Sequence, residues 1–172
     1  MADPERGSIR RAPGGIAPRV LQSWWAPRRV VRGLSAMPEQ VKLVVLMAAM
    51  LVFLIAQAPA HARMAQLDPS IPFQARMGGA LLAVMFLMPV LAYALAALTA
   101  ALSRLTPWRL SPEDSRLALF WALLAVAPAM LLAGLVAGLV GPGPGLAVVQ
   151  AVCGAGFLMI WGAGIAALAR RA

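Results

Sequence analysis

Cysteine and histidine are almost absent from this chain of 172 residues, which has one of each, Cys153 and His61. A single cysteine cannot form a disulfide within the chain, so the cysteine content gives no reading of the redox compartment. With one histidine and only six Asp and Glu residues, the sequence offers no cluster of metal ligands, no paired carboxylates at catalytic spacing and no phosphate-binding loop. We therefore expect no enzymatic activity, no cofactor and no metal site.

Charged residues are also scarce, at 12% of the chain against 62% hydrophobic residues, whereas soluble domains have roughly 25% and 45–50%. The apolar residues are concentrated in four stretches, at 41–60, 78–103, 117–140 and 146–169. Each is long enough to cross about 30 Å of hydrocarbon as a helix. The sequence therefore predicts an all-α polytopic membrane protein, with a domain of four transmembrane helices over residues 37–172.

The last three stretches contain no Asp, Glu, Lys, Arg or His. Proton relays, ion pathways and voltage sensors need ionisable groups at membrane depth. Pumping and ion-coupled transport are disfavoured for this reason.

The cations are distributed unevenly along the chain. Thirteen of the fifteen Lys and Arg residues lie in the N-terminal segment, in the 104–116 loop or at the C-terminus, and only Arg63 and Arg76 lie in the intervening loops. The positive-inside rule then places both termini and the 104–116 loop in the cytoplasm. Trp108 and Trp121 fall near the cytoplasmic ends of their spans, as an aromatic belt requires. Anionic lipid headgroups, rather than nucleic acid, are the expected partner of this charge.

The N-terminal segment divides into two parts. Residues 1–18 are rich in Gly, Pro and Arg and are predicted to be disordered. Residues 19–36 are predicted to form an amphipathic helix in the membrane interface, which Pro27 would bend or divide. The side chains predicted to bind the membrane surface are Trp24, Trp25, Arg28, Arg29 and Arg32. Recruitment of a protein, or a tether with no specific role, are the alternatives.

Within the spans, three kinds of residue stand out. Pro89 and Pro128 each interrupt a long helix and are predicted to kink it. Gly134 and Gly138 have the small-xxx-small spacing of closely packed membrane helices. Packing within the hairpin of the third and fourth spans is favoured over packing between copies of the chain. The Gln150 carboxamide is predicted to form a hydrogen bond between helices, with a ligand contact as the less favoured alternative.

Two regions carry a resemblance to a known family. Arg76 to Leu82 with Pro89 to Tyr93, and Ser115 to Leu124 with Pro128 to Gly143, resemble the Ypt-interacting-protein (Yip-one) family in its short alphaproteobacterial form. The resemblance covers roughly residues 35–165 and implies a multispanning protein of the bacterial inner membrane with a cytoplasmic N-terminus. Eukaryotic relatives act in vesicle traffic and bind prenylated small GTPases. The family usually has five spans and an acidic-aromatic motif, and since this chain departs in both, the GTPase role is not carried over to any residue.

Three functional hypotheses follow from these observations. The leading one is a non-catalytic inner-membrane protein that organises the membrane or acts as a scaffold for membrane-protein partners. The second is a small transporter or channel for a neutral solute, suggested by the prolines and glycines of the spans. The third is an accessory subunit of a larger membrane complex, and a homo-oligomer stays open as well.

Overall fold

A computed structural model describes residues 15–171, with the side chain of Arg171 excepted. Most of the tail that the sequence predicts to be disordered, residues 1–14, lies outside this range. Within the range, the prediction is wrong for residues 16–18, because they belong to a first helix, α1 (Ile16–Gln22).

Four long apolar helices confirm the all-α architecture and the number of spans. They are α3 (Glu39–Leu67), α4 (Phe73–Ser103), α5 (Pro112–Leu139) and α6 (Pro144–Leu168), and each is long and apolar enough to cross a membrane. The chain is therefore a multi-pass membrane protein. The helices extend beyond the apolar stretches, so that His61 and Arg63 lie in the last turns of α3 rather than in a loop.

The ends of α5 follow from its local sequence. Ser111 is the N-cap, and its hydroxyl oxygen accepts a hydrogen bond from the Asp114 backbone N–H at 3.0 Å. Pro112 occupies the first turn together with Glu113 and Asp114, which suits the positive end of the helix dipole. At the other end, Gly141 has a φ of 90°, a backbone conformation that glycine adopts without strain.

Helix α5 lies at the centre of the bundle and packs against α3, α4 and α6. Its side chains Phe120 and Trp121 are almost completely buried. The ring of Phe120 meets that of Tyr93 from α4 edge-to-face, with centroids 5.0 Å apart. The buried Ser115 hydroxyl donates to the Ala96 carbonyl of α4 at 2.7 Å, a polar link between helices that the sequence did not reveal.

We call one end of the helix bundle the basic end of the molecule. It comprises the N-termini of α3 and α5 and the C-termini of α4 and α6. The ion pair between Glu39 Oε1 and Arg116 Nε, at 2.7 Å, joins α3 to α5 there. Two short strands, β1 (Trp108–Arg109) and β2 (Arg170–Arg171), pair antiparallel and join the segments that follow α4 and α6.

The N-terminal segment forms two short helices instead of one. After α1 the chain turns through residues 23–26 and continues as α2 (Pro27–Arg32), so Pro27 begins the second helix, as its preference for the first helical position allows. Helix α1 packs against α5, and α2 packs mainly against α6. The division at Pro27 agrees with the expectation for residues 19–36, whereas the packing of both short helices against spanning helices differs from a helix that lies in the membrane interface.

Candidate functional site

The turn between α1 and α2 is held in the bundle by two tryptophans. Trp121 of α5 donates its indole N–H to the Ser23 hydroxyl at 2.8 Å, and both residues are buried. The Ser23 hydroxyl in turn donates to the Arg19 carbonyl at 2.8 Å. Trp121 is therefore not part of an aromatic belt at the membrane surface, because its indole N–H is used inside the protein.

Trp24 makes the second anchor, between α5 and α6. Its indole N–H donates to the Ala125 carbonyl at 3.1 Å. A Cβ atom added to Gly156 would lie 2.6 Å from the Trp24 ring, so α6 has a glycine where the indole needs space. The expectation that Trp24 lies among lipid headgroups is not met, because this ring is packed between helices.

Pro128 lies close along α5 to the carbonyl that Trp24 binds. A proline has no backbone N–H, and its ring pushes apart the turn of helix that precedes it. Ala125 lies in that turn of α5, and α5 is helical on both sides of Pro128. The carbonyl that loses its helical partner is that of Leu124, four residues before the proline, and the Ala125 carbonyl that Trp24 binds is the next one along the chain.

The two anchors place the turn deep in the bundle. Gly156 lies twelve residues before the end of α6 at Leu168, which is about 18 Å along the helix axis. Val31 of α2 lies nearer that end, since a Cβ on Gly164 would be 3.7 Å from its side chain. Residues 16–32 thus form two short helices joined by a turn inside the bundle, and α2 leads from this turn to the basic end, where Arg32 lies beside Arg170. We call residues 16–32 the N-terminal hairpin.

Gly134 and Gly138 make the close helix contact that their spacing predicts, but their partner is α3 and not the other helix of the expected hairpin, α6. A Cβ on Gly134 would lie 1.8 Å from the Ala56 carbonyl oxygen, and one on Gly138 would lie 2.4 Å from the Pro59 side chain. The Arg63 guanidinium also donates to the Gly138 carbonyl at 3.4 Å. Because α5 has glycine at these two positions, the backbones of α3 and α5 come into direct contact.

Beside this contact, a cavity of about 690 Å³ lies among all four spanning helices. Its volume is within the range of about 300–1,000 Å³ that is usual for small-molecule sites. The wall consists mainly of apolar side chains, with no Asp, Glu, Lys, Arg or His among them; its larger members are Phe53, Met88, Leu123, Met130 and Phe157. Trp24 packs on the same cluster of residues, beside Val126 and Cys153. The N-terminal hairpin therefore supports the wall of the cavity from the direction of the basic end.

Two carboxamides, from Gln57 and Gln150, are the main polar groups of the cavity. Gln57 makes only a long hydrogen bond to the Phe53 carbonyl of its own helix, at 3.5 Å. The Gln150 side chain is exposed, and its carboxamide has no hydrogen-bond partner among residues 15–171. The structure thus gives no hydrogen bond between helices for Gln150, and its carboxamide is free to bind a molecule in the cavity.

The comparisons with protein families, with curated proteins and with solved structures give no match for this chain. The proposed function therefore rests on the geometry of the cavity and of the basic end.

A π-helical turn, residues Ala83–Leu87, interrupts α4 next to the cavity. Ala83 and Val84 of this turn and Met88 after it line the wall, and Pro89 follows immediately. Because Pro89 cannot donate to a carbonyl four residues earlier, an irregular turn at this position is expected. Turns of this kind are frequent at functional sites. The sequence predicted that Pro89 would kink the helix, but it did not predict a π-helical turn.

The remaining predicted surface residues lie on the N-terminal hairpin. The Trp25 side chain is 71% exposed, and Arg28, Arg29 and Arg32 are exposed as well. Lys42 differs, because it is only 3% exposed and forms an ion pair with Glu39 at 3.2 Å. Membrane-surface binding by Trp25 and the arginines stays a prediction.

At the end opposite to the basic end, a short connector joins α3 to α4. Its Asp68 accepts hydrogen bonds from the Ser70 hydroxyl and backbone N–H, and it pairs with Arg76 at 3.1 Å. These contacts, the Ser70 hydroxyl first, hold the pKa of the Asp68 carboxyl below its ordinary value. Within the described part of the chain, no three His, Cys, Asp or Glu residues come together in a way that could hold a metal ion.

Proposed function

We propose that this chain is a non-catalytic, membrane-organising protein that binds an uncharged amphiphile of the bilayer in the cavity among its four spanning helices. The cavity is the observation that carries the proposal. Its apolar wall suits an acyl chain, and its only carboxamides, Gln57 and Gln150, can hydrogen-bond a hydroxyl or carbonyl group. A charged ligand would lack a counter-charge there, and an unpaired charge at such depth is costly.

The proposal predicts selective labelling of the cavity wall by a neutral lipid probe. A monoacylglycerol with a diazirine in its acyl chain, photolysed with the protein in vesicles, should label Met130 and Phe157. The change Gly154→Phe should reduce this labelling at least fivefold, because Gly154 lines the cavity and the space at its Cβ position is open. Mass spectrometry of peptides measures both effects.

Gly162→Phe is the matched control. Gly162 lies on the same helix and also has nothing within 4 Å of its Cβ position, but it does not line the cavity. Labelling in this variant should equal that of the unmodified protein. If Leu132, which is 54% exposed on the outer surface, is labelled as strongly as Met130, the cavity does not select the probe and the proposal fails.

Transport of a neutral solute is the second candidate, and the π-helical turn beside the cavity favours it. The two candidates differ in flux. Vesicles containing the protein should swell no faster in glycerol than empty vesicles if the cavity only binds its ligand. Faster swelling that Gly154→Phe abolishes, and Gly162→Phe does not, would replace the first candidate with the second.

We also propose that the protein lies in a bacterial inner membrane with both termini in the cytoplasm, as expected for a relative of the Yip-one family. The concentration of cations at the basic end supports this orientation. Within residues 15–171, Arg63 and Arg76 lie towards the other end, whereas the basic end has Lys42, Arg104, Arg109, Arg116 and Arg170. Anionic headgroups are then the partners of this charge. Membership of that family stays a prediction.

Reporter fusions test the orientation. Alkaline phosphatase fused after Thr106 should be inactive, because we expect this loop to stay in the cytoplasm, whereas a fusion after Ser70 should be active. The reverse pattern would show that the cations face the periplasm and would contradict the proposed orientation.

A further inference from the structure

A polar pocket of about 540 Å³ at the basic end is built from segments that lie far apart in the sequence. Arg104 follows α4, Arg109 lies in β1 and Arg170 lies in β2, and all three line the pocket. The pairing of the two strands sets Arg109 opposite Arg170. A smaller neighbouring pocket shares Arg170 and extends to Arg32 at the end of α2. We call the two together the arginine pocket.

Within residues 15–171, the charge of the arginine pocket is not neutralised. Glu113 and Asp114 also line it, so four arginines face two carboxylates. Asp114 already accepts a hydrogen bond from the Ser111 hydroxyl at 2.8 Å. The ion pairs found within residues 15–171 involve Glu39, Asp68 and their partners, and none of them includes an arginine of this pocket. The guanidinium groups are therefore available to an external anion.

We propose that the arginine pocket binds the phosphate group of an anionic phospholipid. Planar guanidinium groups bind phosphate through paired hydrogen bonds, and basic pockets between membrane helices are suited to lipid headgroups. The pocket lies at the ends of the spanning helices, where headgroups are found. Beside it, the side chains of Leu105 and Trp108 are 84% and 54% exposed.

These two apolar side chains decide between a lipid and a free phosphate ion. Leu105 and Trp108 are adjacent in sequence to Arg104 and Arg109, and their exposed surfaces can contact the glycerol and acyl groups of a lipid whose phosphate occupies the pocket. An inorganic phosphate ion would leave both surfaces uncovered. The site is separate from the cavity among the spanning helices, and it does not depend on the function proposed for that cavity.

Titration of the full chain with dihexanoylphosphatidic acid in a neutral detergent, followed by native mass spectrometry, tests the proposal. We expect one site whose affinity falls at least tenfold in the double variant Arg109→Gln, Arg170→Gln, because hydrogen bonds to two charged groups are lost. Dihexanoylphosphatidylcholine should bind at least tenfold more weakly, since its headgroup carries no net charge. Inorganic phosphate in tenfold excess should not displace the lipid.

The double variant Arg63→Gln, Arg76→Gln is the matched control. It removes the same charge from the opposite end of the molecule, and neither residue lines the pocket, so the affinity should change less than twofold. An equal loss in both double variants would show diffuse attraction instead of a site and would overturn the proposal. Displacement by the tenfold excess of inorganic phosphate would overturn the assignment to a lipid. An unchanged thermal midpoint of each variant shows that a loss of affinity is not a loss of fold.

Discussion

Replacing Trp24 with alanine should lower the free energy of unfolding by about 2–4 kcal/mol, whereas replacing the adjacent Trp25 should change it by less than about 0.5 kcal/mol. Trp24 packs against Gly156 and donates to the Ala125 carbonyl, and Trp25 is 71% exposed. Loss of the Trp24 indole leaves a gap between α5 and α6 and a carbonyl without its partner. Because lipid can solvate an indole better than water can, we place the cost somewhat below that of the same change in a soluble core.

Two measurements check this result in the full chain. Unfolding in mixed micelles at increasing denaturing detergent gives the free energies of the two variants. Trypsin cleavage at Arg28 and Arg29 should accelerate in the Trp24→Ala variant, because the N-terminal hairpin loses its anchor, and should not accelerate in Trp25→Ala. Equal behaviour of the two variants would mean that the hairpin is not docked between the helices.

Adding one methyl group at Gly134 should destabilise the protein by about 3 kcal/mol or more, at the upper end of what overpacking costs. The new Cβ would lie 1.8 Å from the Ala56 carbonyl oxygen and 2.7 Å from its carbonyl carbon. Both atoms belong to the backbone of α3, so no side-chain rotation can relieve the overlap. The two helices must separate, and the wall of the cavity changes with them.

Gly154→Ala is the control for this prediction, and its expected effect has the opposite sign. A Cβ at Gly154 meets no atom within 4 Å, so the change should stabilise the protein by up to about 1 kcal/mol through helix propensity alone. The same detergent titration measures both variants. If both variants lower the free energy of unfolding by similar amounts, glycine in these helices is needed for reasons other than contact between α3 and α5.

The spanning helices could be predicted from the sequence because their signals are local. An apolar stretch that is long enough to cross the bilayer must satisfy its backbone hydrogen bonds within itself, and this makes it a helix whatever its neighbours are. The start of α5 is equally local, since Ser111 and Pro112 determine the cap within one turn. The spacing of Gly134 and Gly138 indicated close packing, but it did not identify α3 as the partner.

The N-terminal hairpin shows where such reasoning fails. On a helical wheel, Val20, Trp24, Val31 and Leu34 form one apolar stripe. All of them except the half-buried Trp24 are buried in the structure. A stripe of this kind looks the same whether it faces lipid or other helices, because both environments are apolar. Trp24 and Trp25 are adjacent and have identical side chains, yet Trp24 packs between helices and Trp25 is exposed. Only the glycine at position 156 and the turn before Pro128, both far away in the sequence, distinguish them.

The sequence by itself determined that four apolar helices cross a membrane and that the cations cluster at one end of them, since length, hydropathy and charge are properties of each segment alone. The tertiary structure decided which helix contacts which, and with it the buried hydrogen bond of Trp121, the cavity bordered by Gln57 and Gln150, and the pairing of Arg109 with Arg170. These features depend on distances between segments that are not neighbours in the chain. Hydropathy contains no information about those distances, because lipid and protein interior are equally apolar surroundings for a membrane helix.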